Sequence, residues 1–98
     1  MTRTVAFRLA ALREFEDAAV WYEGRRSGLG ESFIAAIDDA MELAAKTPNR
    51  FPAMHRNVRC VRVRRFPFSV FFVPEPDRIV VLSIFHASRD PIIWKYRT

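Results

Sequence analysis

Residues 59–72, RCVRVRRFPFSVFF, constrain this chain more than any other stretch, because they alternate apolar and charged side chains and are interrupted once by a proline. Successive side chains of an extended chain point to opposite faces. Val61 and Val63 therefore point one way, and Cys60, Arg62 and Arg64 the other. Pro67 has no backbone N–H for a sheet ladder, so it belongs at a strand start or a turn. A second strand follows, with Phe68, Val70 and Phe72 on one side and Ser69, Phe71 and Val73 on the other. The stretch reads as a hairpin with an apolar side for a core and a guanidinium-lined side able to hold an anion.

The chain before it changes period twice. Thr4 to Leu9 alternates as Val5, Phe7, Leu9 against Thr4, Ala6, Arg8, which reads as a half-buried strand. Leu12, Phe15, Ala19 and Tyr22 then recur at helical spacing, predicting a first helix from about Ala11 to Gly24, with Arg13, Glu14, Glu16 and Asp17 on its remaining surface. Trp21 and Tyr22 are adjacent and cannot both face one core, so Trp21 is either covered by another element or exposed to a partner. SGLGES, from Ser27 to Ser32, is the turn between helices, with Leu29 plugging the end of the pair. Its GxG follows a helix rather than a strand and lacks the lysine of a phosphate loop. The second helix is expected from about Glu31 to Lys46, with Phe33, Ile37, Ala40 and Ala44 as its stripe, widened by Ile34 and Met41, and Thr47-Pro48-Asn49 as its stop. Asp38, Asp39 and Glu42 read as its solvated face. So short a turn makes the two helices an αα-hairpin.

Arg50 to Asn57 is a connector, and Pro74-Glu75-Pro76-Asp77 is a turn. RIVVLSIF, Arg78 to Phe85, is apolar on both faces, as a strand near the middle of a sheet is. The predicted order is β-α-α-β-β-β, an α+β fold with a mostly antiparallel sheet and the αα-hairpin packed on one face. The helices then cover the side of Val61 and Val63, and Arg62 and Arg64 face an open side. HASRDPIIWKYRT closes the chain and places His86, Arg89 and Asp90 just past a central strand, where site residues often stand. The structural alternative is that Asp90 caps a turn before Pro91, Ile92 and Trp94 close the core, and Arg89 pairs with a carboxylate.

A chain of 98 residues, half of them apolar, fits one globular domain spanning 1–98. No apolar run reaches the roughly 18 to 20 residues of a membrane span, and MTRTVAFRL lacks the layout of a signal peptide, so a cytoplasmic location is expected. Cys60 is the single cysteine, which rules out an internal disulfide and offers no metal-ligand spacing. It reads as a small strand residue rather than a nucleophile. The net charge of +5 conceals an asymmetry: residues 1–49 carry a net of −2 and residues 50–98 a net of +7. Lys46 and Lys95 are the only lysines, and arginine is the cation suited to bidentate contact with phosphate or carboxylate. Nucleic acid and an acidic protein segment both fit that field.

The motifs WYE at 21–23, GLGESF at 28–33, TPNRFP at 47–52, RFPF at 65–68 and HASRDPIIW at 86–94 occur in an order that resembles the RelE/ParE superfamily of bacterial type II toxins. The resemblance covers nearly the whole chain. It implies a cytoplasmic toxin that inhibits growth and serves plasmid stabilisation, without metal or cofactor, held silent by a cognate antitoxin whose acidic tail wraps it. The RelE-like branch implies a ribosome-dependent mRNA endoribonuclease, for which Arg62, Arg64, His86, Arg89 and Tyr96 would form the catalytic set. Ser69 stands where that branch carries a further basic residue. Arginines are poor proton shuttles at neutral pH, which would leave proton transfer to His86 or Tyr96; His86 reads equally as a core histidine. The ParE-like branch, which WYE, GLG and the RDPxxW ending resemble more closely, implies poisoning of DNA gyrase with no catalytic set. There Arg62, Arg64, Arg65, Arg89, Trp94 and Trp21 would contact target or antitoxin.

Overall fold

Two helices lie across one face of a five-stranded sheet, and a short third helix closes part of the other face. The computed structural model describes residues 2–97. In chain order the elements are β1 (Thr4–Phe7), α1 (Leu9–Arg25), α2 (Leu29–Lys46), a single 3-10 turn at Pro48–Arg50, β2 (Ala53–His55), β3 (Val58–Arg62), β4 (Phe68–Pro74), β5 (Arg78–His86) and α3 (Ile92–Lys95). The strands are ordered β1-β5-β4-β3-β2. β1 runs parallel to β5, and every other pairing is antiparallel. The α+β reading with its αα-hairpin holds.

The differences from the sequence reading have local causes. β1 ends at Phe7, because the Arg8 N–H donates to Val81 O (2.9 Å) and the helix begins at once with Leu9, which is 62% exposed. α2 begins two residues early, at Leu29. The Arg50–Asn57 connector holds a short edge strand, β2, which a three-residue segment cannot announce by period. In α1 Ala11 is buried and Phe15, Ala18, Ala19 and Tyr22 are partly buried against the same core, whereas Leu12 sits at the solvent border. In α2, Phe33, Ile37, Ala40, Met41 and Ala44 are buried as expected, and Ile34 is not.

The core has two parts, one on each side of the sheet. Phe33, Ile37, Ala44, Val61, Val63, Val70, Phe72, Ile79, Val81 and Ile84 meet between helices and sheet. Val58, Phe71, Val80, Leu82, Phe85 and Trp94 form the second cluster on the opposite face. Each large apolar side chain taken fully from water, such as Phe33 or Phe72, contributes about 1.5–3 kcal/mol. β5 serves both clusters because it is apolar at successive positions, and it carries a bulge: Phe71 opposes Ser83, yet Phe72 opposes Val81. The extra residue resets the alternation, so Ile79, Val81 and Ile84 face the helices while Val80, Leu82 and Phe85 face away.

Candidate functional site

The expected arginine row is present in part. Val61 and Val63 are buried under the helices, and Arg62, of opposite parity on β3, is exposed on the other side. Arg62 pairs with Ser69, and Ser69 with Phe85, so this row crosses three strands. Arg64 does not share the row: β3 ends at Arg62, and Arg64 and Arg65 lie exposed on the bend that follows. Arg65 has φ 72°, the left-handed region that a residue other than glycine enters at a cost of about 1–2 kcal/mol. Phe66 fixes the bend by inserting its ring edge-on against Tyr22 (4.9 Å) and Phe33 (5.3 Å).

The face expected to be open is partly closed. Trp94 of α3 is 3% exposed and stacks on Phe71 at 4.2 Å with an interplanar angle of 17°. It is therefore a core residue and offers no surface to a partner, contrary to its expected contact role. Cys60 lies in the same cluster, and burial pushes its thiol up, against the lowering effects of the Ser69 hydroxyl and the Arg62 charge. Tyr96, just past α3, is 82% exposed and lines a shallow hollow with His55, Arg56, Asp90, Pro91, Ile92 and Lys95.

Arg89 is committed elsewhere. Its Nη1 lies 2.6 Å from Glu14 Oε2, and Arg97 Nη1 lies 2.8 Å from Glu14 Oε1. The same Oε1 accepts from the Ser83 hydroxyl (3.0 Å) and the Ile84 N–H (3.2 Å), and Arg97 also donates to Leu82 O (3.0 Å). β1 pairs with β5 only as far as Val81, so Glu14 and Arg97 satisfy the backbone edge that β1 leaves uncovered. The helix-surface reading of Glu14 is thus corrected: its side chain is 13% exposed. Sequence alone has no local signal for this clamp, because its donors lie 69 to 83 residues away.

His86 ends β5 opposite Phe68, whose ring it meets edge-on at 5.0 Å, and its Nδ1 accepts from the Ser88 N–H at 3.0 Å. Asp90 accepts from the Ile92 N–H at 3.0 Å and so opens α3. His86 and Arg89 thus each have a structural partner, and Tyr96 stands just past α3.

The helix turn explains two of the sequence motifs. Glu23 of WYE accepts from the N–H groups of Gly28 (3.0 and 3.1 Å to its two oxygens) and Gly30 (3.0 Å), holding the N-terminus of α2 against the end of α1. Gly30 is buried where a Cβ would stand 2.7 Å from Ala19 O and 2.9 Å from Glu23 Cβ. Gly28 has φ 87°. Tyr22 faces the core, and Trp21 is 57% exposed with the Arg25 guanidinium 4.8 Å from its ring centroid. Among the described residues there is no group of three or more His, Cys, Asp or Glu placed to hold a metal, and no helix is long and apolar enough to cross a membrane.

This arrangement of helix pair and sheet recurs in a solved structure described as "Chromosomal ParDE TA system from P. aeruginosa", with a TM-score of 0.69 at 17% identity over 89% of this chain and 98% of that one. At that identity the likeness defines the fold. The family follows from the sequence: residues 5–91 match the family model of the "ParE toxin of type II toxin-antitoxin system, parDE", and the chain belongs to that family. No curated protein matches it.

Proposed function

We propose that the chain, acting as one domain over residues 1–98 in the cytoplasm, is the toxin of a type II toxin-antitoxin pair, neutralised by a cognate antitoxin and arresting growth by binding and poisoning DNA gyrase. Family membership supports the toxin and its antitoxin. The observation that carries the choice of a protein target is the pairing of Arg89 with Glu14 at 2.6 Å. A ribonuclease built on Arg62, Arg64, His86, Arg89 and Tyr96 needs Arg89 turned toward an RNA phosphate, yet here it ties the segment after β5 to α1. The neutral Ser69 opposite Arg62 weighs the same way. The proposed contact surface for target or antitoxin comprises Arg62, Arg64, Arg65 and Trp21, and an acidic antitoxin tail matches its charge.

The test is to induce the chain without antitoxin in a sensitive bacterium and follow DNA and protein synthesis by pulse labelling in the first minutes. DNA synthesis is expected to stop first, and the purified chain to inhibit supercoiling and leave cleaved DNA. Protein synthesis stopping first, with cuts in ribosome-bound mRNA, would replace this reading with the endoribonuclease.

A further inference from the structure

At one end of the molecule the bend that carries Arg64 and Arg65, with Arg62 just before it on the far face of the sheet, meets the end of α1 that carries Trp21, Arg25 and Arg26. The contacts of Phe66 with Tyr22 and Phe33 seat the β3–β4 bend against the end of α1 and the start of α2. Trp21, beside Tyr22, has Arg25 over its ring, and Arg26 follows as the cap of α1. Arg62 ends β3, and Arg64 and Arg65 lie exposed on the bend. Among the described residues Arg26, Arg62, Arg64 and Arg65 pair with no carboxylate. Of the two carboxylates at this helix turn, Glu23 is held by Gly28 and Gly30, which leaves Glu31. So concentrated a positive field repels itself, and it draws an anion from solution.

We propose that this pole binds the phosphate backbone of duplex DNA without regard to base sequence. It rests on the reading of the pole as a contact surface and adds the chemistry of what is touched, since the DNA of a gyrase complex is at hand when the toxin docks. Guanidinium forks match phosphate oxygens in pairs. The placement favours a duplex over a peptide: Arg64 and Arg65 stand exposed on a bend outside any strand, whereas an extended peptide takes a groove or a sheet edge. Two shallow hollows, around His55 and Tyr96 and around Arg8 and Val80, are lined by other residues. Arg65 adds to the case, because a glycine would relieve its positive φ yet the charge stands there.

Fluorescence anisotropy with the purified full chain and a labelled mixed-sequence duplex, without gyrase, tests this directly. If Arg62, Arg64 and Arg65 each hold one phosphate, the Kd rises about 40-fold between 50 and 200 mM salt. Arg64→Ala and Arg65→Gly are each expected to weaken binding and to lower the salt slope by about 1. Arg65→Gly also eases the backbone, so its effect cannot come from unfolding. Arg13→Ala, in the first half of α1, is expected to leave affinity unchanged. Binding that ignores salt or the two bend variants overturns the proposal, as does capture of a poly-glutamate peptide by a chain that leaves the duplex free. Supercoiling assayed in parallel separates the two readings. A chain that poisons gyrase but holds no DNA removes this inference alone, and one that holds DNA but spares gyrase removes the gyrase reading alone.

Discussion

Glu14 and Arg97 are 83 residues apart in sequence and 2.8 Å apart in space. Through that contact the first helix holds the segment that follows α3, and with it Trp94 against Phe71. Arg89 and Ser83 bind the same carboxylate, so its removal leaves the Arg89 guanidinium and the Ile84 N–H without this acceptor and Arg97 with Leu82 O alone.

Glu14→Ala is therefore expected to destabilise the chain by about 3 kcal/mol, more than an exposed ion pair contributes, because the carboxylate is largely buried and several donors lose it together. The check is the midpoint of urea unfolding. Arg89→Ala, which removes the more exposed partner, is expected to cost less than half as much. Equal losses would mean that the clamp is not centred on Glu14.

Gly30→Ala places a methyl group 2.7 Å from the backbone oxygen of Ala19, where no side chain can move aside. The helices must separate, at a cost of about 2 kcal/mol. Thermal melting of the variant measures it, and an unchanged melting temperature would show that the helix pair is looser than its contacts indicate.

Arg65→Gly goes the other way. Relief of φ 72° outweighs the greater freedom that glycine brings to the unfolded chain, and a gain of up to about 1 kcal/mol is expected. Chemical denaturation alongside Arg64→Ala separates the backbone effect from the loss of charge, since Arg64 has no positive φ.

The two tryptophans should behave as opposites. Trp94→Ala is expected to cost about 3–5 kcal/mol, with loss of the blue-shifted component of the fluorescence. Trp21→Ala removes a half-exposed ring and its Arg25 contact, costing about 0.5–1 kcal/mol and taking away the red-shifted component. Growth arrest should be sensitive to Trp21→Ala only if that ring contacts the target.

Cys60 should resist alkylation. Burial favours its neutral thiol, so the reactive thiolate is scarce at pH 8 and increases only as pH climbs beyond the ordinary cysteine range. Iodoacetamide labelling as fast as that of the unfolded chain would contradict the placement of the thiol.

What was legible in the sequence was whatever repeats over a few residues. Phe33, Ile37, Ala40 and Ala44 mark α2, and Val61 and Val63 mark the face of β3 that meets the helices. The strand RIVVLSIF suggested burial on both sides, but not the bulge that changes which residues face which core, since an extra residue leaves no trace in a run of apolar side chains. β2 was hidden because three residues cannot show a period, and the role of Glu14 because its partners come from the far end of the chain. Trp94 was read both as a contact residue and as part of the core, and its burial decides for the second. An aromatic near several arginines suggests a contact surface, yet only three-dimensional placement shows that Phe71 already covers it.

The parallel pairing of β1 with β5 brings Thr4 beside Arg78 and Phe7 beside Val81. Of the five strands β1 is thus made before the others and waits for β5, which is made after them, and neither core can close until β5 has emerged. A chain interrupted anywhere before β5 lacks the strand that both cores share. In a member of a toxin family this topology ties the folded domain, and whatever that domain does, to the presence of β5.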